Sequence, residues 1–261
     1  MTFFGGLFTA GCIWLLGRAL LPSRKKLERS FWEEQCLAWL LGAAGLPLAA
    51  MTVTLAGIRF DGMVAWLLLL LAAGAGILRL RADRRAGIPC SRLPLGRSAA
   101  VLLGVLGAGS VAATLLLPLN EFDALFHFAY KGKILFFSGN PLDPAFTDLA
   151  GDFGRIHTHP NYPLGIPFLE AFAAHAGRDW NDRWVQIPLA FWAACLPGVV
   201  ALGLRAISPH AAARGALLAA CLPILYTRNF LPFLPSDLAD MPHHLHLILG
   251  GGADLPLAAL F

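Results

Sequence analysis

The chain has 261 residues, 57% of them hydrophobic and 14% charged, with a formal net charge of +4 and a mean hydropathy of +0.64. A soluble domain carries roughly a quarter of its residues as charges, so this composition excludes an ordinary water-soluble globule and describes an integral membrane protein. The basic excess does not form a nucleic-acid face: it sits in short loops between apolar runs, as orientation signals do.

Six apolar windows, 2–22, 36–57, 63–79, 99–119, 187–207 and 211–227, are long enough for a hydrocarbon core about 30 Å thick. The expected fold is therefore all-α: a polytopic transmembrane helical bundle with short amphipathic helices in its outer loop and no sheet. Runs such as LLGAAGLPLAA and LAAGAGIL allow close helix contact. Residues 1–17 hold no basic side chain, and Arg24, Lys25 and Lys26 follow the first window. That is the reverse of a secretory signal, so the first run reads as a retained helix. The loop 23–35 carries these three and Arg29; the loop 80–98 carries Arg81, Arg84, Arg85, Arg92 and Arg97; Arg205 and Arg214 flank the connection 208–210. If each window crosses once, all three loops share one side, which the positive-inside rule makes cytoplasmic. The N-terminus and the long loop 120–186 then lie outside. None of the five cysteines is in that loop, so no disulfide framework is expected. A seventh apolar run, LHLILGGGADLPLAALF, starts at Leu245 and ends without a flanking charge or aromatic anchor; the chain is expected to be the front portion of a longer protein.

The loop 120–186 is far longer than a connector and rich in aromatic residues, so it reads as ordered and functional. Its first part, NEFDALFHFAYKGKILFFSGNP (120–141), has the pattern of an amphipathic helix over 121–138, stopped by Gly139 with Pro141 beyond. Phe122, Leu125, Phe126, Ala129 and Ile134 form an apolar face, while Asp123, His127 and Lys131 recur four residues apart on another stripe. Such a helix would lie in the interface plane. Lys131 and Lys133 there either touch lipid phosphates or serve a substrate, and Asp123 either caps the helix or acts as a base. Next comes GRIHTHPNYPLGIPFLEAF (154–172), where Pro160, Pro163 and Pro167 deny a regular helix at its start. His157, His159, Asn161 and Tyr162 sit on that stiff turn. FLEAFAAHAG then makes a short helix, too short and too polar to span.

FDALFHFAYKGKILFFSG followed by HPNYPLGIPFLEAF resembles the polytopic glycosyltransferases of the GT-C class, which include the protein O-mannosyltransferases and the aminoarabinose transferase of lipid A. The resemblance covers about 99–261, with 1–98 as about three preceding N-terminal spans. It implies transfer of a sugar from a polyprenyl-phosphate donor to a glycan, lipid or protein acceptor on the periplasmic or outer face of a bacterial inner membrane. In that class an acid just past a span lies near the reaction centre. Members often carry an adjacent Asp-Glu pair, whereas Phe122 separates Glu121 from Asp123 here, so both acids stay candidates. The leaving phosphate needs fixed cations: Lys131, Lys133 and Arg155, with Arg228 at the outer end of the sixth window. His159 and Tyr162 belong to the same substrate-binding turn, and Tyr162 or Trp180 can stack on a sugar or anchor at the interface.

No cofactor is required by this chemistry. The imidazoles of His157, His159 and His243 together with Asp123 are suitable ligands for a divalent metal, although no CxxC or HExxH spacing accompanies them and polar packing is the alternative role. Two other functions compete with the transferase. A transporter or flippase-type subunit would need ionisable groups at midplane, and the six windows carry almost none. An inactive truncated fragment of a transferase would keep the family pattern without turnover.

Overall fold

The computed structural model describes residues 1–22, 30–87, 97–116, 128–143 and 163–225. It is a helical bundle with no strand among the described residues: α1 (Thr2–Leu20), α2 (Phe31–Leu55), α3 (Gly62–Ala86), α4 (Arg97–Leu116), α5 (Tyr130–Ser138), α6 (Gly165–Gly177), α7 (Ile187–Arg205) and α8 (Pro209–Leu225). By length and composition four helical stretches can cross a bilayer: Thr2–Leu20, Phe31–Leu55, Gly62–Ala86 and Trp184–Arg205. The chain is an integral membrane protein. α4 and α8 occupy the other two windows. The apolar stretch of α4 is Ala100–Gly109, and α8 has 17 residues, at the lower limit for a span.

The helix ends differ from the hydropathy windows for local reasons. α2 begins five residues before its window because Ser30 closes a capping box: the Glu33 N–H donates to Ser30 Oγ at 3.2 Å, and the Ser30 N–H donates to Glu33 Oε2 at 2.7 Å. α3 starts at an Asp61 cap, whose carboxylate accepts from the Val64 N–H at 2.9 Å. It then runs past residue 79, held by an Arg79–Asp83 pair at 3.1 Å, and stops at Gly87 in the left-handed region, φ 61°.

α1 is the central element and packs against α2, α3 and α6. Its crossing with α2 brings backbone onto backbone. A methyl group on Gly17 would overlap the Ala38 carbonyl, and one on Gly42 would overlap the Ile13 carbonyl; without bulk, the two helices gain van der Waals contact that apolar lipid cannot match. α3 is peripheral, presenting Met63, Leu67, Leu70, Leu71 and Leu78 outward, as a lipid-facing helix does.

The end of the bundle that bears the basic loops is tied by buried ion pairs. Arg18 of α1 bridges Glu34 of α2 and Asp83 of α3, the latter at 2.7 Å. Arg205 of α7 meets Glu33 of α2 through two contacts, at 2.9 and 2.8 Å, the side-on arrangement that guanidinium and carboxylate favour. Arg18, Glu33 and Glu34 are all buried. These groups lie near helix ends, so the middles of the spans remain apolar as expected, but the windows did not anticipate that the basic loops lead into a charged core.

Candidate functional site

At the opposite end, two helices that do not span fill the mouth of the bundle. α5 ends where expected, with Gly139 in the left-handed region (φ 65°) and its N–H returned to the Leu135 carbonyl. Phe128 and Ala129, in a wider helical turn, lead into it. α6 is 13 residues long and buried from Ile166 to His175 and at Gly177. Pro167 is tolerated because it sits in the first turn, where its missing N–H has no intrahelical partner to lose. The last turn of α6 lies directly on the first turn of α1, with Gly177 against Thr2 and Gly5. The expectation of a short non-spanning helix holds. Its polarity does not keep it at the surface: α6 packs against α1, α2, α3 and α5.

Phe60 joins these parts. It lies in the short α2–α3 turn, and its ring is fully buried, edge-on to Phe168 (5.2 Å) and Phe172 (4.9 Å) of α6. Its N–H donates to the Gly139 carbonyl at 2.9 Å, and next to it Arg59 donates to the Phe137 carbonyl at 3.2 Å. The turn thus holds the C-terminus of α5 against α6.

Three ionisable side chains of α5 and α6 are buried, two of them, Glu170 and His175, where the two helices meet. Lys131 is fully buried, and burial lowers its pKa. Glu170 is 1% exposed; burial, then the charge of Asp182, pushes its pKa well above the ordinary carboxylate value. His175 is 9% exposed, between the rings of Phe60 (5.3 Å) and Phe136 (4.8 Å). Burial lowers it to about 4, against the opposing pull of Asp61 and a hydrogen bond to the Phe60 backbone. Low dielectric thus favours the neutral form of each. Glu170 Oε2 and His175 Nε2 have no hydrogen-bond partner. At the rim, the Trp180 indole donates to Asp182 at 2.7 Å, and Lys133, Arg59, Arg178 and Arg183 are exposed.

Of the residues singled out in the sequence, Lys131 and Lys133 are on α5 and face differently. Lys133 is exposed, whereas Lys131 is fully buried, and α5 packs on α6. Glu121, Asp123, His127, Arg155, His157, His159, Tyr162, Arg228 and His243 lie outside the described residues, so the Asp123–His127–Lys131 register is described only at its Lys131 end. No three metal-ligating side chains converge among the described residues. Glu170 and His175 were not singled out, although one acid and one imidazole in a 13-residue apolar helix bounded by proline and glycine are a readable signal.

Between α2, α4 and α7 an apolar groove of about 900 Å³ opens, lined by Trp32, Leu103, Gly107, Val111, Phe191 and Pro197 among others. A second hollow of about 350 Å³ adjoins it at Trp32 and Phe191 and reaches Trp14, Trp39 and Cys36. No protein-family model matches the chain, and neither a curated protein nor a solved structure matches it significantly.

Proposed function

We propose that the chain is a membrane glycosyltransferase of GT-C type, moving a sugar from a polyprenyl-phosphate donor to a hydroxyl acceptor on the non-cytoplasmic face. The observation that supports it is the pair of non-spanning helices, α5 and α6, packed at the end of the bundle away from the basic loops, with the resembling motifs running directly into both. The positive-inside rule favours that end as the outer one, and the resemblance implies a bacterial inner membrane. In this reading Asp123, with Glu121 as the second candidate, takes the proton of the acceptor hydroxyl as its oxygen bonds to the anomeric carbon. The bond from that carbon to the phosphate oxygen breaks, and Lys133 and Arg155 meet the charge left on the polyprenyl phosphate. The groove between α2, α4 and α7, apolar and of about 900 Å³, suits the isoprenoid tail. Tyr162 and His159 line the sugar side, and the acceptor is a glycan, lipid or protein.

Asp123→Asn in the full-length gene product, assayed for transfer from lipid-phosphate sugars, tests the reading. Loss of transfer with normal membrane insertion supports it, and unchanged transfer removes Asp123 as the base.

A further inference from the structure

Glu170 is the acid of α6, and its Oε2, enclosed by protein, accepts no hydrogen bond. An ionised carboxylate there would give up its hydration with nothing on that oxygen to replace it, whereas the neutral acid avoids most of that cost. The oxygen points at α5: a Cβ on Gly132 would come within 2.7 Å of Oε2 and 2.9 Å of the Trp180 ring. The absence of a side chain at Gly132 is what lets α5 close over the carboxyl.

The charges around this spot give ionisation little help. α5 brings Lys131, whose burial favours the neutral amine. The segment after α6 brings Asp182, whose negative charge opposes a second one. α6 itself brings His175, uncharged at neutral pH, and the α3 cap brings Asp61, which faces His175. α1 meets α6 through uncharged Thr2 and Gly5, and the charges of α1, α2 and α7, namely Arg18, Glu33, Glu34 and Arg205, all lie at the other end of the bundle.

We infer that Glu170 is a proton-binding site of the folded protein, and that α5 stays seated on α6 only while that proton is held. Release of the proton sets a charge against the α5 backbone at Gly132. Water reaches that charge most directly if α5 lifts, and Lys133 moves with it. The position of α5 then reports the pH of the compartment it borders. The inference rests on the α5–α6 packing and is independent of the transferase reading.

Infrared spectroscopy and hydrogen exchange on the detergent-solubilised full chain test it. The wild type should show a protonated-carboxyl stretch at neutral pH that is missing from Glu170→Gln. As the pH is raised and that band is lost, amide exchange over 130–138 should rise several-fold in the wild type relative to Glu170→Gln at the same pH. Asp182→Asn, at an exposed position, gives a check should Glu170→Gln fail to fold: the band should disappear at lower pH than in the wild type. A wild type without the band at neutral pH would overturn the inference. So would α5 exchange matching Glu170→Gln at every pH, or a band whose midpoint ignores Asp182→Asn.

Discussion

Arg18 and Asp83 are 65 residues apart in sequence and 2.7 Å apart in space, Nη2 to Oδ2. Through that contact and the one to Glu34, a single guanidinium gathers α1, α2 and α3. Removing it takes the guanidinium away from Glu34, 2% exposed, and breaking a buried ion pair from one side costs about 3–5 kcal/mol. Arg18→Met should therefore lower resistance to denaturant by about that amount. Adding Glu34→Gln should recover part of the loss, as a double-mutant cycle on the solubilised protein would show.

The two lysines of α5 should separate. Lys133→Ala removes an exposed charge and should leave the unfolding midpoint within about 0.5 kcal/mol; if Lys133 holds the donor phosphate, KM for the lipid donor rises. Lys131→Met alters a fully buried side chain and should shift the unfolding midpoint by more than Lys133→Ala does. The unfolding curves of the two variants, side by side, check both statements.

His175 and Glu170 set opposite limbs of the stability–pH profile. The unfolded chain protonates this imidazole near pH 6.5 while the folded chain waits until about 4. Between those values the unfolded state holds more protons, so stability falls as pH drops through that window, by about 3 kcal/mol at most. For Glu170 the folded state is the one that holds the extra proton above pH 4.5, so its contribution is complete below that pH and is lost as pH rises toward the folded value. Denaturant titrations should show the acid limb flattened in His175→Phe and the alkaline limb flattened in Glu170→Gln. Unchanged slopes would contradict the burial assigned to these groups.

Gly42→Ala should be costly despite adding one methyl group. The new Cβ would overlap the Ile13 carbonyl, which is backbone and cannot rotate away, so α1 and α2 must separate. Overpacking of this kind costs about 1–3 kcal/mol. Gly11→Ala, with open space around it, is the matched control, and thermal unfolding of the pair measures the difference.

Four of the six hydropathy windows fall on stretches long and apolar enough to cross a bilayer, because a bilayer demands length and apolarity that few other segments meet. The boundaries needed finer chemistry. The start of α2 is set by the reciprocal bonds of Ser30 and Glu33, which an apolar window places in a loop. The extension of α3 is carried by Arg79 and Asp83, polar on all sides and invisible to a hydropathy scan. The α5 stop was legible in Gly139. What escaped was the company each short helix keeps: periodicity can assign Lys131 to a stripe, but only the folded structure shows that this side chain is buried. Glu170 and His175 escaped for the same reason, since their altered chemistry comes from burial by elements more than 30 residues away in sequence. The acids and histidines past the fourth apolar window were legible as candidates and lie outside the described residues.

The seat of α6 has a consequence for how the molecule is made. One wall of that seat is the first turn of α1, at Thr2 and Gly5, which leaves the ribosome long before residue 177 exists. Until then the small-residue face of α1 can only rest against lipid, and α6 cannot enter the membrane by its own hydropathy. Assembly is therefore obliged to run in two stages, lateral insertion of the early spans and then closure by a segment made later in the chain. Two halves of the chain cut between α3 and α4 should each insert, and should close only when produced in the same cell.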